Sequence, residues 1–281
     1  MKLFNTALKI VQKEFATRQM NVNKAQYLYK HSAEQLVDRM LDIKKPFPQI
    51  LDYLSGFGAI SAALQPDYDV DLVLKHEPIK GYHVKQMESK VHSEFIEGLV
   101  PSRCILSNLR LHWENDILNT FKTINSHLEP DGCFIGSLLG GDTLYELRSS
   151  IQLAEQERLG GFNPHHFSPM TTMRDVGALM SDSKFVLPTV DYEEITINYP
   201  SIFELLSDLE LMGERNALLQ DIKPLRKDVL VAAASIYHSV YGSTKEIPAT
   251  FQIIYFIGWK KGNEQLPKKP TTGSKRITDI L

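Results

Sequence analysis

The stretch from Ile50 to Ile60 constrains the fold most, because it joins an apolar run, a glycine-containing turn and a helical pattern. Its first part predicts a buried strand that ends at Asp52, and the residues after Gly58 recur at helical spacing. Strand, loop and helix in this order open a nucleotide-binding α/β unit, whose glycines let the backbone approach an adenosine-containing ligand. Only Gly56 and Gly58 are present, since Leu54 stands where the first glycine is usual. On the loop alone, we favour an ordinary strand-to-helix turn.

Further predicted strands alternate with predicted helices along the chain. Apolar runs at Val70–Leu74, Cys104–Leu106 and Cys133–Leu139 indicate buried strands, and Ile117–Leu128 has helical spacing. The last run, Ala249–Trp259, is apolar on both faces, as a strand inserted into the middle of a sheet would be. We therefore expect an α/β fold with a doubly wound, mostly parallel seven-strand sheet, N-terminal helices and a helical insertion before the last strand. Ligands of such sheets bind outside the carboxyl ends of the strands.

The side chains that follow the predicted strands are the candidate ligand-binding residues. They are Asp52, Ser55, Gly56, Gly58, His76, Glu77, Asn108, His112 and Trp113. For His112 and Trp113, packing beneath the edge of the sheet is an equal alternative to closing over a ligand. No residue stands out as catalytic.

Composition excludes several classes of function. The 281 residues carry a formal net charge of -3, with a pI near 6.3, and show no basic footprint for nucleic acid. Cys104 and Cys133 are too few for a cysteine zinc site and lie in apolar runs, so we expect two buried thiols. His165-His166 lacks the carboxylate spacing of a metal triad, so no metal is predicted. No apolar run approaches membrane-spanning length, which predicts a soluble or at most peripheral protein.

Three regions are expected along the chain. Residues 1–45 form N-terminal helices that pack on the domain, residues 46–262 form the α/β domain, and residues 263–281 form a flexible tail. In Met1–Gln19, basic residues accompany an apolar face that includes Leu8 and Val11. This pattern describes a mitochondrial transit peptide and an ordinary amphipathic helix equally well.

A helix with a charged face is predicted after Gly140. Thr143 and Glu146 have the spacing of a capping box at its start. Asp142, Glu146 and Arg148 make a candidate partner-binding surface, although most charged helix faces are simply solvated.

Several longer motifs together resemble one family, the methyltransferase-like assembly factors of mitochondrial respiratory complex I, which include a protein arginine hydroxylase. The matching stretches are Leu111-His112-Trp113 with Asn115-Asp116, Pro130-Asp131-Gly132 with Phe134-Ile135-Gly136, the run GGDTLYELR from Gly140 to Arg148, Gly160-Gly161-Phe162, Met212-Gly213-Glu214, and Pro248 to Ile253 with Gly258-Trp259. The resemblance covers the chain up to about Lys260. It implies a class I methyltransferase fold of Rossmann-like type, S-adenosylmethionine as cofactor and a place in the mitochondrial matrix near the inner membrane. The implied partner is a matrix-arm subunit of complex I, and the need for an adaptor assembly factor stays open.

The chain departs from the family in the cofactor loop. The family's Asp-Leu-Gly-Cys-Gly-x-Gly is replaced here by Asp52-Tyr53-Leu54-Ser55-Gly56-Phe57-Gly58, in which Leu54 narrows the space beside the cofactor. His76 stands where a carboxylate should hold the two ribose hydroxyls, and Glu77 follows one place late. Losing a charged hydrogen-bond partner costs roughly 1.5–3 kcal/mol, so we expect weakened cofactor binding.

Two functional hypotheses follow. The first is an S-adenosylmethionine-dependent methyltransferase acting on a protein or small-molecule carboxylate, with Asp52, Gly56 and Gly58 shaping the pocket and Glu77 holding the ribose. The second, which we favour, is a complex I assembly factor that keeps the fold as a docking body. An arginine hydroxylase would need an oxidant or a metal, for which the sequence offers no site.

Overall fold

The computed structural model describes residues 2–19, 26–79, 87–220 and 224–262. The strands are β1 (Gln49–Tyr53), β2 (Leu72–His76), β3 (His92–Phe95), β4 (Ser102–Ser107), β5 (Leu128–Leu139), β6 (Phe185–Tyr199) and β7 (Ile247–Lys260). The helices are α1 (Thr6–Arg18), α2 (Tyr27–Leu41), α3 (Ala59–Ala63), α4 (Ile117–His127), α5 (Tyr145–Leu159), α6 (Met173–Asp182), α7 (Ile202–Leu211) and α8 (Lys227–Tyr241). The predicted tail, residues 263–281, lies outside the described part of the chain.

The strands form one sheet in the order β3-β2-β1-β4-β5-β7-β6. Strands β1 to β5 run parallel to one another, whereas β7 runs antiparallel to both β5 and β6. All residues from Ala249 to Phe256 of β7 are buried, because the strand lies inside the sheet and both of its faces are covered. The predicted fold class and the central position of the last strand are confirmed.

Helices cover both faces of the sheet. On one face, α2, α5, α7 and α8 contribute Leu28, Leu147, Leu205 and Val229 to a large apolar cluster. On the other face, Phe121 of α4 packs edge-on against a strand residue, Phe134, with ring centroids 5.5 Å apart. The two layers hold the carboxyl ends of β1, β2 and β4 at one edge of the molecule, which is the edge where a ligand site is expected. None of the described helices is both long and apolar enough to cross a bilayer.

The orientation of α1 differs from the sequence prediction. Its apolar residues Leu8, Val11 and Phe15 are 40%, 60% and 44% exposed, and its buried face includes Lys9 and Lys13. The reason is that both lysines find oxygen partners inside the protein, which offsets the cost of burying their charges.

Strand β2 begins and ends two residues later than predicted. It covers Leu72–His76 rather than Val70–Leu74, so His76 is the last residue of the strand and pairs with Tyr53 of β1. The imidazole of His76 stacks on the phenol ring of Tyr53, with the ring centroids 5.6 Å apart. This side-chain contact lies at the ends of both strands.

Candidate functional site

The loop after β1 keeps the backbone of a glycine-rich loop while carrying large side chains. Leu54, Gly56, Phe57 and Gly58 all have positive φ, at 60°, 61°, 44° and 71°. A side chain in this region is strained by about 1–2 kcal/mol, so Leu54 and Phe57 are unexpected there. Both side chains are buried, and the Phe57 ring packs against Tyr29 of α2 at 5.3 Å between centroids. Packing therefore offsets the strain and fills space beside the loop.

Six of the predicted cofactor residues surround one small cavity, which we call the cradle. They are Asp52, Ser55, Gly56, Gly58, His76 and Glu77. Lys75 and Phe95, which the sequence analysis missed, complete its lining. The cavity measures about 10 Å³, and about 10–15 Å³ is the least that holds a single water molecule. S-adenosylmethionine does not fit the cradle as its residues stand.

The charges in the cradle also fit the cofactor poorly. Burial raises the pKa of the Asp52 carboxyl to about 6, although the Ser55 hydroxyl and Lys75 act in the opposite direction. Burial lowers the pKa of His76, so its ring is neutral and offers no charge to a ribose. The Lys75 ammonium is buried in the same cavity, and S-adenosylmethionine is itself a cation. We derive no chemical step through that cofactor.

Asn108 lies in the interior, behind the cradle. Its side-chain Nδ2 donates to the Tyr29 carbonyl at 2.8 Å, and its Oδ1 accepts from the Ser137 hydroxyl at 3.1 Å. Its backbone N–H donates to Ser55 Oγ at 3.0 Å. Asn108 thus ties the loop to α2 and β5, and its side chain does not line the cavity as predicted.

His112 and Trp113 also point away from the cradle, towards the carboxylate of Glu214. Trp113 Nε1 donates to Glu214 Oε2 at 2.6 Å, and His112 Nε2 lies 3.2 Å from the same oxygen. On the other oxygen, Tyr29 donates at 2.6 Å and Lys13 forms an ion pair. These five residues and Lys9 form what we call the Glu214 cluster. The prediction that His112 and Trp113 lie with Asp52 at the cofactor is not supported by their positions.

Electrostatics keep the Glu214 carboxylate charged inside the cluster. Burial alone would raise the pKa of the Glu214 carboxyl, but Lys13 and His112 hold it well below its usual range. Burial lowers the pKa of Lys9 to about 6, against the attraction of Glu214. Lys9 Nζ lies 3.2 Å from the Trp113 ring centroid and donates to the Gly213 carbonyl at 3.0 Å. The cluster thereby fixes α1 on the segment that follows α7.

The predicted partner surface is not a single face. Asp142 is exposed and accepts from Gln252, whereas Glu146 is 1% exposed and accepts from Thr250 of β7. The capping box is absent, because the side chain of Thr143 also turns to β7 and donates to the Gln252 carbonyl at 3.1 Å. Polar groups of β7 therefore compete successfully for both side chains of the predicted box.

A much larger cavity of about 650 Å³ lies beside the Glu214 cluster. Its walls come from α5, α7 and the segment 166–170, and Trp113 and Glu214 lie in its lining. We call it the α5–α7 cavity. The sequence analysis missed this site, because its lining residues come from segments that are far apart in the sequence.

No metal site is evident within the described ranges, where no three or more His, Cys, Asp or Glu side chains come close enough to hold an ion. Cys104 and Cys133 are buried free thiols on neighbouring strands, as expected.

Comparison with known proteins identifies the fold and the family. The structure resembles that of a candidate methyltransferase of Bacillus halodurans, with a TM-score of 0.51 and 12% identity over 80% of this chain and 98% of that one. With its strand order and cradle, the protein has the class I S-adenosylmethionine-dependent methyltransferase fold. No family model matches the sequence.

Two relatives share the name "Arginine-hydroxylase NDUFAF5, mitochondrial". The Homo sapiens protein is 38% identical over 94% of this chain and 79% of its own length. The Danio rerio protein is 36% identical over 100% of this chain and 90% of its own length. The chain belongs to the NDUFAF5 arginine-hydroxylase family.

Proposed function

We propose that this protein is an assembly factor for mitochondrial respiratory complex I that acts without S-adenosylmethionine in its cradle. It works in the mitochondrial matrix, at the surface of the inner membrane, and binds a matrix-arm subunit. The proposal rests on a contrast between the Glu214 cluster and the cradle. The family motifs that contain His112, Trp113 and Glu214 meet in a hydrogen-bonded cluster, whereas the cradle leaves room for about one water molecule.

The assembly role is tested by deleting the gene in the organism that encodes this chain. We expect less assembled complex I on native gels and lower NADH:ubiquinone oxidoreductase activity, and both should return with the wild-type gene. Unchanged assembly after deletion would exclude the role. Mass spectrometry of matrix-arm subunits from the same cells reports whether an arginine loses a hydroxyl group on deletion.

Independence from the cofactor is tested by the Asp52→Asn/His76→Gln double variant. Both changes replace ionisable groups of the cradle by neutral amides and leave the Glu214 cluster intact, so this variant should restore complex I as well as the wild type does. A variant that is folded and present at the wild-type level but fails to restore assembly would contradict the proposal.

Direct titration of the purified protein provides the second test. We expect no heat from S-adenosylmethionine up to millimolar concentration in calorimetry. Micromolar binding would show that the cradle opens in solution, and the methyltransferase hypothesis would then replace ours.

A further inference from the structure

The α5–α7 cavity has the size and lining of a small-molecule site. Its volume of about 650 Å³ falls in the range of about 300–1,000 Å³ that is typical of ligand pockets. Apolar side chains dominate the walls, among them Leu147 and Ile151 of α5, Leu206 of α7, and Phe167 and Met170.

Most ionisable side chains of the lining already contact another ionisable group. Arg215 Nη1 lies 2.6 Å from Glu210 Oε1 in an ion pair within the lining. His166 Nδ1 lies 3.1 Å from Glu155 Oε1, and Glu214 is held by its own cluster. None of these groups therefore requires a charged ligand as a partner.

Arg148 is different, because within the described ranges no carboxylate oxygen lies within 4.0 Å of its guanidinium nitrogens, although Glu210 and Glu214 line the same cavity. Its Nη2 donates to the carbonyls of Gly141 at 2.7 Å and Thr143 at 3.3 Å. Those contacts orient the guanidinium but leave its charge uncompensated, and they leave the donors on Nε and Nη1 for another acceptor. Thr143 and Leu144, at the start of α5, line the same cavity, but their backbone N–H groups already donate to the carbonyls of Gly140 and Thr250.

We propose that the α5–α7 cavity binds a monocarboxylic acid with an apolar chain, such as a free fatty acid. The chain lies between α5 and α7, and the carboxylate accepts hydrogen bonds from Arg148. A guanidinium suits this role because it presents planar, charged donors to a carboxylate. The site lies apart from the cradle and does not depend on the proposed assembly role.

Calorimetry with four probes tests the chemistry of the ligand, each probe below its micelle concentration. Decanoate should bind, and decanol, which has the same chain without the charge, should bind about tenfold more weakly because it lacks a charged hydrogen bond. Decylammonium should bind more weakly still, and acetate should give no heat. No binding of decanoate, or equal or tighter binding of decanol or decylammonium, would overturn the proposal.

Three variants locate the site. Arg148→Gln should weaken decanoate about tenfold and leave decanol unchanged, whereas Arg148→Lys keeps the charge and should retain more of the decanoate affinity. Leu206→Trp should narrow the cavity between α5 and α7 and weaken binding of both probes. Circular dichroism and thermal unfolding show first that each variant is folded. If Arg148→Gln binds decanoate as tightly as the wild type, the carboxylate does not lie at Arg148 and the assignment is wrong.

Discussion

Lys13 and Glu214 form an ion pair whose side chains are only 1% and 4% exposed, although 201 positions separate them in the sequence. Burying two charges costs several kcal/mol per ion, and mutual attraction offsets this only when the remaining hydrogen bonds are also made. Here Tyr29 and Trp113 donate to the same carboxylate. The pair therefore specifies where α1 docks more than it adds to net stability.

The first prediction concerns the loss of that carboxylate's charge. Glu214→Gln leaves Lys13 buried without a counter-ion, so the free energy of unfolding at pH 7 should fall by about 3–5 kcal/mol. Urea denaturation measures the change.

A matched control is Glu34→Gln, which breaks the exposed helical pair with Lys30. It should lower the free energy of unfolding by less than about 0.5 kcal/mol.

The double variant Lys13→Met/Glu214→Met should lose less free energy of unfolding than the single variants Lys13→Met and Glu214→Met lose together. Simple additivity would contradict a direct interaction between the two residues.

The second prediction is a rise of stability with pH that depends on Lys9. Its pKa is about 6 in the folded protein, against a usual value of 10.5. Between these two values the unfolded chain binds more protons than the folded chain, so the free energy of unfolding increases as pH rises. Urea denaturation from about pH 6 to 9 should show a smaller rise for Lys9→Met than for the wild type. Identical slopes in the two proteins would refute it.

The third prediction is that the cradle can be reopened. The triple variant Leu54→Gly/Lys75→Val/His76→Asp removes one bulky side chain and one cation and supplies a carboxylate near the ribose position. It should give measurable heat with S-adenosylmethionine where the wild type gives none. His76→Asp alone is the control, and it should not bind, because the cavity of about 10 Å³ stays closed. Binding by the wild type as tight as by the triple variant would be inconsistent with a closed cradle.

The fourth prediction tests the packing of β5 against β7. A Cβ on Gly136 would lie 2.4 Å from Phe256 Cζ, so Gly136→Ala should lower stability by about 1–3 kcal/mol. In α6, a Cβ on Gly177 meets its nearest atom at 3.9 Å, so Gly177→Ala should be neutral or stabilise by up to about 1 kcal/mol. Thermal unfolding of both variants checks the contrast, and equal shifts would show that the sheet relaxes around Gly136.

The sequence predicted the parts of the site that depend on local patterns. Asp52, Gly56 and His76 follow or end apolar runs, and the carboxyl ends of parallel strands meet at one edge, so their grouping around the cradle follows from periodicity. Because the last predicted strand is apolar on both faces, the sequence also indicated that this strand lies inside the sheet.

The parts it missed depend on partners far away in the chain. Lys9 and Lys13 look like solvent-facing residues of an amphipathic helix until the oxygens of residues 212–215 are placed beside them. Thr143 and Glu146 have the residue types and the spacing of a capping box, yet both side chains form hydrogen bonds with groups on β7. Local spacing carries no information about such competitors.

Docking of α1 on residues 212–216 sets an order of events during synthesis. The ribosome makes Lys13 first and the carboxylate that pairs with it 201 residues later. A nascent chain therefore holds α1 undocked for most of its translation, with Leu8, Val11 and Phe15 available to chaperones throughout. A prematurely terminated product that ends before Glu214 has no counter-ion for Lys13 and cannot complete this side of the molecule.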